Sequence, residues 1–271
     1  MPTSASFPQF SPQRLRSYIL RLPLITRIIL IVIVLFWIAG VSNGFQHWAQ
    51  LIPTEVIAGG MHRINTYPLL HLGLIHTVSN LIALAPLLER FEAEHGSLVT
   101  LILFTGPFST FPAGLYVLIS HFLLNTNTPV EGASIWIFLL LSSQILSLAK
   151  TQPYLQIPEY GVLPRAYRIP TAVLPLLLIL ATSFLSLIHV LPPTSILGHL
   201  CGAGIGYLWG LGYIKFLAPP EKILRWIEGK LNLLGRIPHY VSVDQKVYGR
   251  YGVLPQTTGG TGASGIPMSA V

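Results

Sequence analysis

Charge is scarce in this chain. Of its 271 residues only 9% are Asp, Glu, Lys or Arg, against about 25% in a soluble domain. With 52% hydrophobic residues and a mean hydropathy of +0.63, the apolar surplus is expected to face lipid. Cysteine is nearly absent. Cys201 stands alone, which excludes an intrachain disulfide framework and a Cys-x-x-Cys metal site. No His-Glu-x-x-His motif occurs, so the metalloprotease reading has no support. No cleavable signal peptide is expected either. Arg14, Arg16 and Arg21 precede an apolar run, but that run is long enough to span and lacks a small-residue cleavage site. The net charge of +7 does not indicate nucleic acid. Basic residues gather at segment ends and in loops, which is the membrane pattern.

What is present is a series of apolar runs. A membrane span needs about 20 mostly apolar residues, and six such runs are read here: Leu24 to Val41, Pro68 to Leu88, Leu98 to Phe122, Gly132 to Ala149, Ala172 to Val190 and Ile196 to Leu217. The third is expected to be broken at Gly106, Pro107 and Pro112. The expected fold class is all-α, a polytopic six-helix membrane bundle. Its parts are an N-terminal segment (1–23), the bundle (24–218) and a tail (219–271).

Basic residues set the orientation. Arg14, Arg16, Arg21 and Arg27 precede or begin the first run, and Arg90 follows the second. Lys150, Arg165 and Arg168 lie between the fourth and fifth, and seven more follow or close the sixth. With six spans all fall on one side, and Arg63 alone on the other. The positive-inside rule then predicts cytosolic termini. In the tail, Glu221 to Leu234 reads as an amphipathic membrane-surface helix with Trp226 among its apolar residues. Gln256 to Val271, rich in Gly, Thr and Ser, is expected to be disordered, and the first dozen residues to be loose.

Polar residues inside hydrocarbon are costly and tend to mark function. Here they cluster at one depth. The second, fourth and sixth runs enter from the lumenal side, and their entry ends carry His71, His76 and Asn80, then Ser134, then His199. His76 and Asn80 share a helix face, and two donors on one face could hold a developing oxyanion. They could equally bond neighbouring helices or line a water-filled cavity. Ser134 follows Gly132 and Ala133, small residues that allow close backbone approach. Serine in a membrane helix is more often structural. Phe138 lies one turn beyond it on the same face. In the sixth run Gly198, Gly202, Gly206 and Gly210 recur every fourth residue, a ridge for close helix packing. That ridge does not account for His199, which is placed to act as a general base on Ser134. The other histidines lie mainly in loops or at span ends, where water can solvate them. A zinc site built from His71, His76 and His199 lacks any acidic partner in those runs.

Taken together these residues resemble the rhomboid intramembrane serine proteases. The family pattern is His-x4-His-x3-Asn in the second span, Gly-x-Ser at the fourth and His-x2-Gly-x3-Gly in the sixth. Here these are His71, His76 and Asn80; Gly132 and Ser134; and His199, Gly202 and Gly206. The six runs and the ending Val243 to Pro255 look most like the fungal rhomboid protein 2 group. The resemblance implies a Ser134–His199 dyad and an oxyanion hole of the Ser134 backbone N–H, His76 and Asn80. It also implies Phe138 stacked on the histidine, with His71, Gly132, Gly202 and Gly206 in support, and no cofactor or metal. It implies transmembrane substrates cut near their lumenal ends, and residence in the Golgi membrane (cis-Golgi or endosomal) with membrane lipid as surroundings. Arg63 matches the arginine of the family's Trp-Arg loop motif. The sequence departs from the pattern at Ile135, where the family usually has glycine, and at His62, where it has tryptophan. A branched Ile135 is expected to narrow the substrate path.

Two other classes compete with the protease. One is a catalytically weak or inactive rhomboid-like protein that binds transmembrane clients, motivated by Ile135. The other is a transporter, for which paired broken spans would be expected; only the third run is broken. In the tail, Tyr248 to Leu254 resembles the glycine-containing boxes that dock on the Cdc48-type AAA ATPase. Truncation from Val243 onward is expected to spare the chemistry.

Overall fold

The computed structural model describes residues 11–157 and 167–245. The tail end from Gln256, the box at 248–254 and the first ten residues lie outside these.

Helices occupy each of the six expected regions. After α1 (Pro12–Arg21), α2 (Leu24–Ala39) follows directly, starting behind Pro23. Short helices α3 (Asn43–Ala49), α4 (Pro53–Ile57) and α5 (Arg63–Thr66) form the connecting loop. Next come α6 (Leu74–His95), α7 (Ser97–Thr105), α8 (Pro107–Val117) and α9 (Ser134–Ala149). Then α10 (Leu174–Leu187), α11 (Ile196–Leu211), α12 (Glu221–Leu231) and α13 (Leu233–Arg236) complete the order.

Several expectations need correction. The fold is mostly helical rather than all-α: β1 (Tyr154–Ile157) and β2 (Tyr167–Pro170) pair antiparallel between α9 and α10. The third region, Ser97–Leu123, is interrupted between α7 and α8 at Gly106, before Pro107, as expected, but not at Pro112. Pro112 sits inside α8, and only Gly106, with φ −125° and ψ −108°, interrupts the helix. Among the described residues only this stretch is long and apolar enough to cross a membrane alone. α11 reaches the same criterion only when joined to Lys215–Leu231 across a 91° bend. Helices of 16 residues such as α2 and α9 rise about 24 Å, less than the roughly 30 Å hydrocarbon layer. The second helix begins later than expected, at Leu74, because Gly73 takes φ +77°.

Exposed apolar side chains such as Ile31, Leu35, Ile38, Ile82, Leu180 and Phe184 form the outer face, as lipid contact requires. The interior is built on α9 against α11. A Cβ at Gly202 would lie 3.2 Å from the Ile135 Cα, one at Gly206 2.9 Å from the Leu139 Cα, and one at Gly210 3.1 Å from the Ser143 carbonyl. The glycine ridge therefore carries the backbone of α9 on successive turns. Between the helices, edge-to-face pairs join Phe104 to Trp136 at 5.3 Å and Phe108 to Trp209 at 5.0 Å.

At the end of the bundle remote from Ser134, two buried carboxylates organise the chain. Glu92, fully buried, accepts from the Ile25 and Thr26 backbone N–H groups, Thr26 Oγ1 and Ser97 Oγ. A carboxylate there satisfies orphan donors at the α2 N-terminus and suits its dipole. Glu228 accepts from Tyr240 Oη at 2.7 Å, Ser242 Oγ at 2.6 Å and Val243 N at 3.0 Å. Burial, then Glu228 itself, hold the Tyr240 hydroxyl above its ordinary pKa, so it stays a donor. Val241 bonds Ser97 in both directions, and Val243 packs into the core. The tail up to Gln245 is thus part of the bundle.

Candidate active site

Ser134 is the first residue of α9, and the loop before it is held at several points. Leu51 and Val130 exchange backbone hydrogen bonds at 3.0 Å each, and Gly132 N–H donates to the Tyr67 carbonyl at 2.9 Å. Ala133 N–H donates to His71 Nε2 at 3.1 Å. Because Nε2 accepts, the ring proton lies on Nδ1, which donates to the Leu69 carbonyl at 3.1 Å. Both ring nitrogens of His71 are thereby used, leaving no lone pair for a metal. His71 itself precedes α6 rather than riding on it, contrary to its expected place inside a span. The extended lead-in before Gly73 carries its ring to the Ser134 loop.

Gly132 has φ +106°, and a Cβ there would lie 2.9 Å from His76 Cε1. Both facts demand glycine. They also place His76 against the loop, and its ring lies 5.1 Å from that of His71.

His199 stands in the first turn of α11. That turn is capped by Ser195, whose Oγ accepts from Gly198 N–H at 3.1 Å. The His199 ring packs on Phe138 with centroids 4.5 Å apart, and its buried Nδ1 has no hydrogen-bond partner. Ser134, His199 and His76 line one cavity of about 310 Å³. Among the described residues Ser134 and His199 share no direct hydrogen bond; catalytic contacts often tighten only around substrate. Asn80 is buried and does not line the cavity. Its Nδ2 donates to the His76 carbonyl at 2.8 Å, and its Oδ1 has no partner. The model of the rhomboid domain matches residues 58–216, more than half of the chain and every residue of this cavity.

The chain belongs to the rhomboid family.

Its relatives agree. It is 54% identical to "Rhomboid-type serine protease B" of Aspergillus fumigatus over 93% of this chain and 89% of that protein. It is 50% identical to "Rhomboid-type serine protease 2" of Neurospora crassa over 100% and 95%, and 46% identical to the Gibberella zeae protein of that name over 94% and 92%. Family and relatives together make it an integral membrane protein and a serine protease of the intramembrane type.

Glu131 and its partner Gln50 escape a reading of sequence alone. Glu131 lines the cavity, and its carboxylate accepts from Gln50 Nε2 at 2.7 Å. Burial pushes its pKa up, opposed by that hydrogen bond. Arg63 is buried, bonding the carbonyls of His47 and Gln50 and pairing with Glu55 at 3.7 Å. It fixes the loop that presents Gln50. His62 stacks on Trp48 at 4.7 Å, which gives this imidazole an aromatic contact. Ile135 both lines the cavity and is 1% exposed, packing against Gly198 and the cluster of Leu51, Tyr67 and Cys201. It is a core contact, which changes what removing it would do.

Proposed function

We propose that this rhomboid cleaves transmembrane segments near their lumenal ends, with Ser134 as nucleophile and His199 as general base. The observation that carries the reading is the shared cavity of Ser134, His199 and His76. Ser134 Oγ attacks the scissile carbonyl carbon while His199 takes the hydroxyl proton. The tetrahedral oxyanion is held by the Ser134 N–H and His76; Asn80, outside the cavity with its amide on the His76 carbonyl, joins them only when its side chain turns toward the oxyanion. Collapse breaks the C–N bond, and His199 returns the proton to the leaving amine. Water then hydrolyses the acyl-serine. Since His199 Nδ1 has no partner, no carboxylate orients the ring, and the Phe138 contact takes that positioning role.

The same reading includes six spans and cytosolic termini, supported by the distribution of Lys and Arg. Golgi residence rests on the resemblance to the fungal group, and fluorescence of the tagged protein against a Golgi marker tests it. Docking of a Cdc48-type AAA ATPase on Tyr248 to Leu254 is tested by affinity capture with and without that box.

A second reading, a weak or inactive relative that binds transmembrane clients, is favoured by the Ile135 side chain in the cavity. A fluorophosphonate probe separates the two. Covalent labelling that disappears in Ser134→Ala supports the protease; a folded protein that takes no label supports the binding protein.

A further inference from the structure

A second cavity, of about 650 Å³, lies at the opposite ends of the two helices that carry Ser134 and His199. Lys150 and Thr151, at the end of α9, line it with Lys215, just past α11. The Lys215 ammonium lies 5.5 Å from the centroid of Trp209, which also lines the cavity. Carboxylates border it too, but each has a cationic partner: Glu94 pairs with Arg90 at 2.7 Å and Glu221 with Arg225 at 3.3 Å. Among the described residues Lys150 and Lys215 form no ion pair. The nearby helix C-termini of α6, α9 and α11 each carry about half a negative charge. Two whole positive charges outweigh them.

The depth of this cavity is set by the bend. The chain turns 91° from α11 into Lys215–Leu231, so α12 runs across the end of the bundle. Leu224 and Glu228 of α12 face inward, while Ile223, Trp226 and Leu231 are exposed. A helix crossing the bundle end with exposed Ile223, Trp226 and Leu231 beside exposed Lys222 and Lys230 suits the membrane interface. In the proposed topology the cavity, in the angle between α11 and α12, falls at headgroup depth. Phe91 and Leu148 give it an apolar wall beside the lysines.

We infer that this cavity binds the phosphate-bearing headgroup of an anionic phospholipid, with Lys150 and Lys215 holding the phosphate and the apolar wall taking the glycerol and upper acyl chain. The inference rests on the proposed topology for the depth of the cavity and for which leaflet supplies the lipid. A soluble phosphate ester shares the headgroup's chemistry but has no use for the apolar wall.

The test uses the full-length protein in nanodiscs of equal phosphatidylserine and phosphatidylcholine, released and analysed by native mass spectrometry. Phosphatidylserine should be retained in preference by roughly twenty-five-fold, about a factor of five from each lysine. Lys150→Gln with Lys215→Gln should abolish most of that preference, while Lys222→Gln with Lys230→Gln on α12 should keep most of it. Glycerophosphoserine, added as a soluble competitor, should not displace the lipid. Equal retention of the two lipids, or a preference that survives the Lys150/Lys215 exchange, overturns the site. Displacement by glycerophosphoserine at equal concentration overturns the lipid source. Labelling of Ser134 is read on the same samples, so failure here is separable from failure of the protease reading.

Discussion

The backbone N–H of Ala133 donates to His71 Nε2 across 62 residues of sequence. This bond fixes the turn that delivers Ser134, since Ala133 is the residue before the proposed nucleophile and Gly132 is already tied to Tyr67. On the proposed mechanism His71 is a positioning residue. His71→Ala should leave a buried donor unpaired and cost about 1–3 kcal/mol. In kinetics it should lower kcat more than it raises KM, because the substrate path is intact while the serine is not. His71→Gln, which restores an acceptor, should recover part of kcat. An equal change in melting temperature with kcat unaffected would make the bond purely structural.

The glycine ridge gives a paired comparison within one helix. Gly206 lies against the Leu139 backbone, whereas a Cβ at Gly204 meets nothing within 4 Å. Gly206→Ala should force the helices apart and destabilise by about 1–3 kcal/mol. Gly204→Ala should be neutral or stabilising by up to about 1 kcal/mol through helix propensity. Thermal unfolding in one detergent reads both.

Ile135→Gly tests the departure from the family pattern. Because Ile135 packs against Gly198 and a buried cluster, its removal should cost more than the roughly 2–5 kcal/mol of an isoleucine-to-alanine exchange. Turnover should fall with stability. Ile135→Val, at about 0.5–1.5 kcal/mol, trims the cavity without emptying the core. It is the variant in which a wider substrate range should appear over a panel of transmembrane segments.

Tail truncations should divide at Gln245. Deleting 256–271 should leave cleavage in detergent unchanged. Deleting from Val243 removes a core residue and one donor to Glu228, and should lower both melting temperature and activity. Glu228→Ala, which strands the Tyr240, Ser242 and Val243 donors, should cost at least about 2 kcal/mol. Full activity and unchanged melting after either change would show that the tail is dispensable.

The parts of the fold that sequence made legible are those with a strong local period or a costly residue. Gly198, Gly202, Gly206 and Gly210 announce close packing, though only the structure supplies Ile135, Leu139 and Ser143 as the partners. His199 stands out because an imidazole is costly in such an apolar run, whereas Ser134 is one of several hydroxyls and is picked out only by Gly132 before it and by the family pattern. Glu92 and Glu228 do not stand out, since carboxylates at helix ends are usually solvated. Their burial depends on donors brought from distant segments, Thr26 in one case and Tyr240 in the other. Gln50 and Glu131 meet across 81 residues for the same reason. The hairpin of Tyr154–Ile157 and Tyr167–Pro170 is too short to carry a periodic signal against the surrounding loop.

The most direct measurement is cleavage of a single-span substrate by the purified protein in liposomes, comparing wild type with Ser134→Ala, His199→Ala and the double variant. The expected result is loss of product in all three, with the double variant no worse than either single change because the pair acts as a unit. Melting temperatures should stay near wild type. Product formation at the wild-type rate by any well-folded member of this set would contradict the dyad.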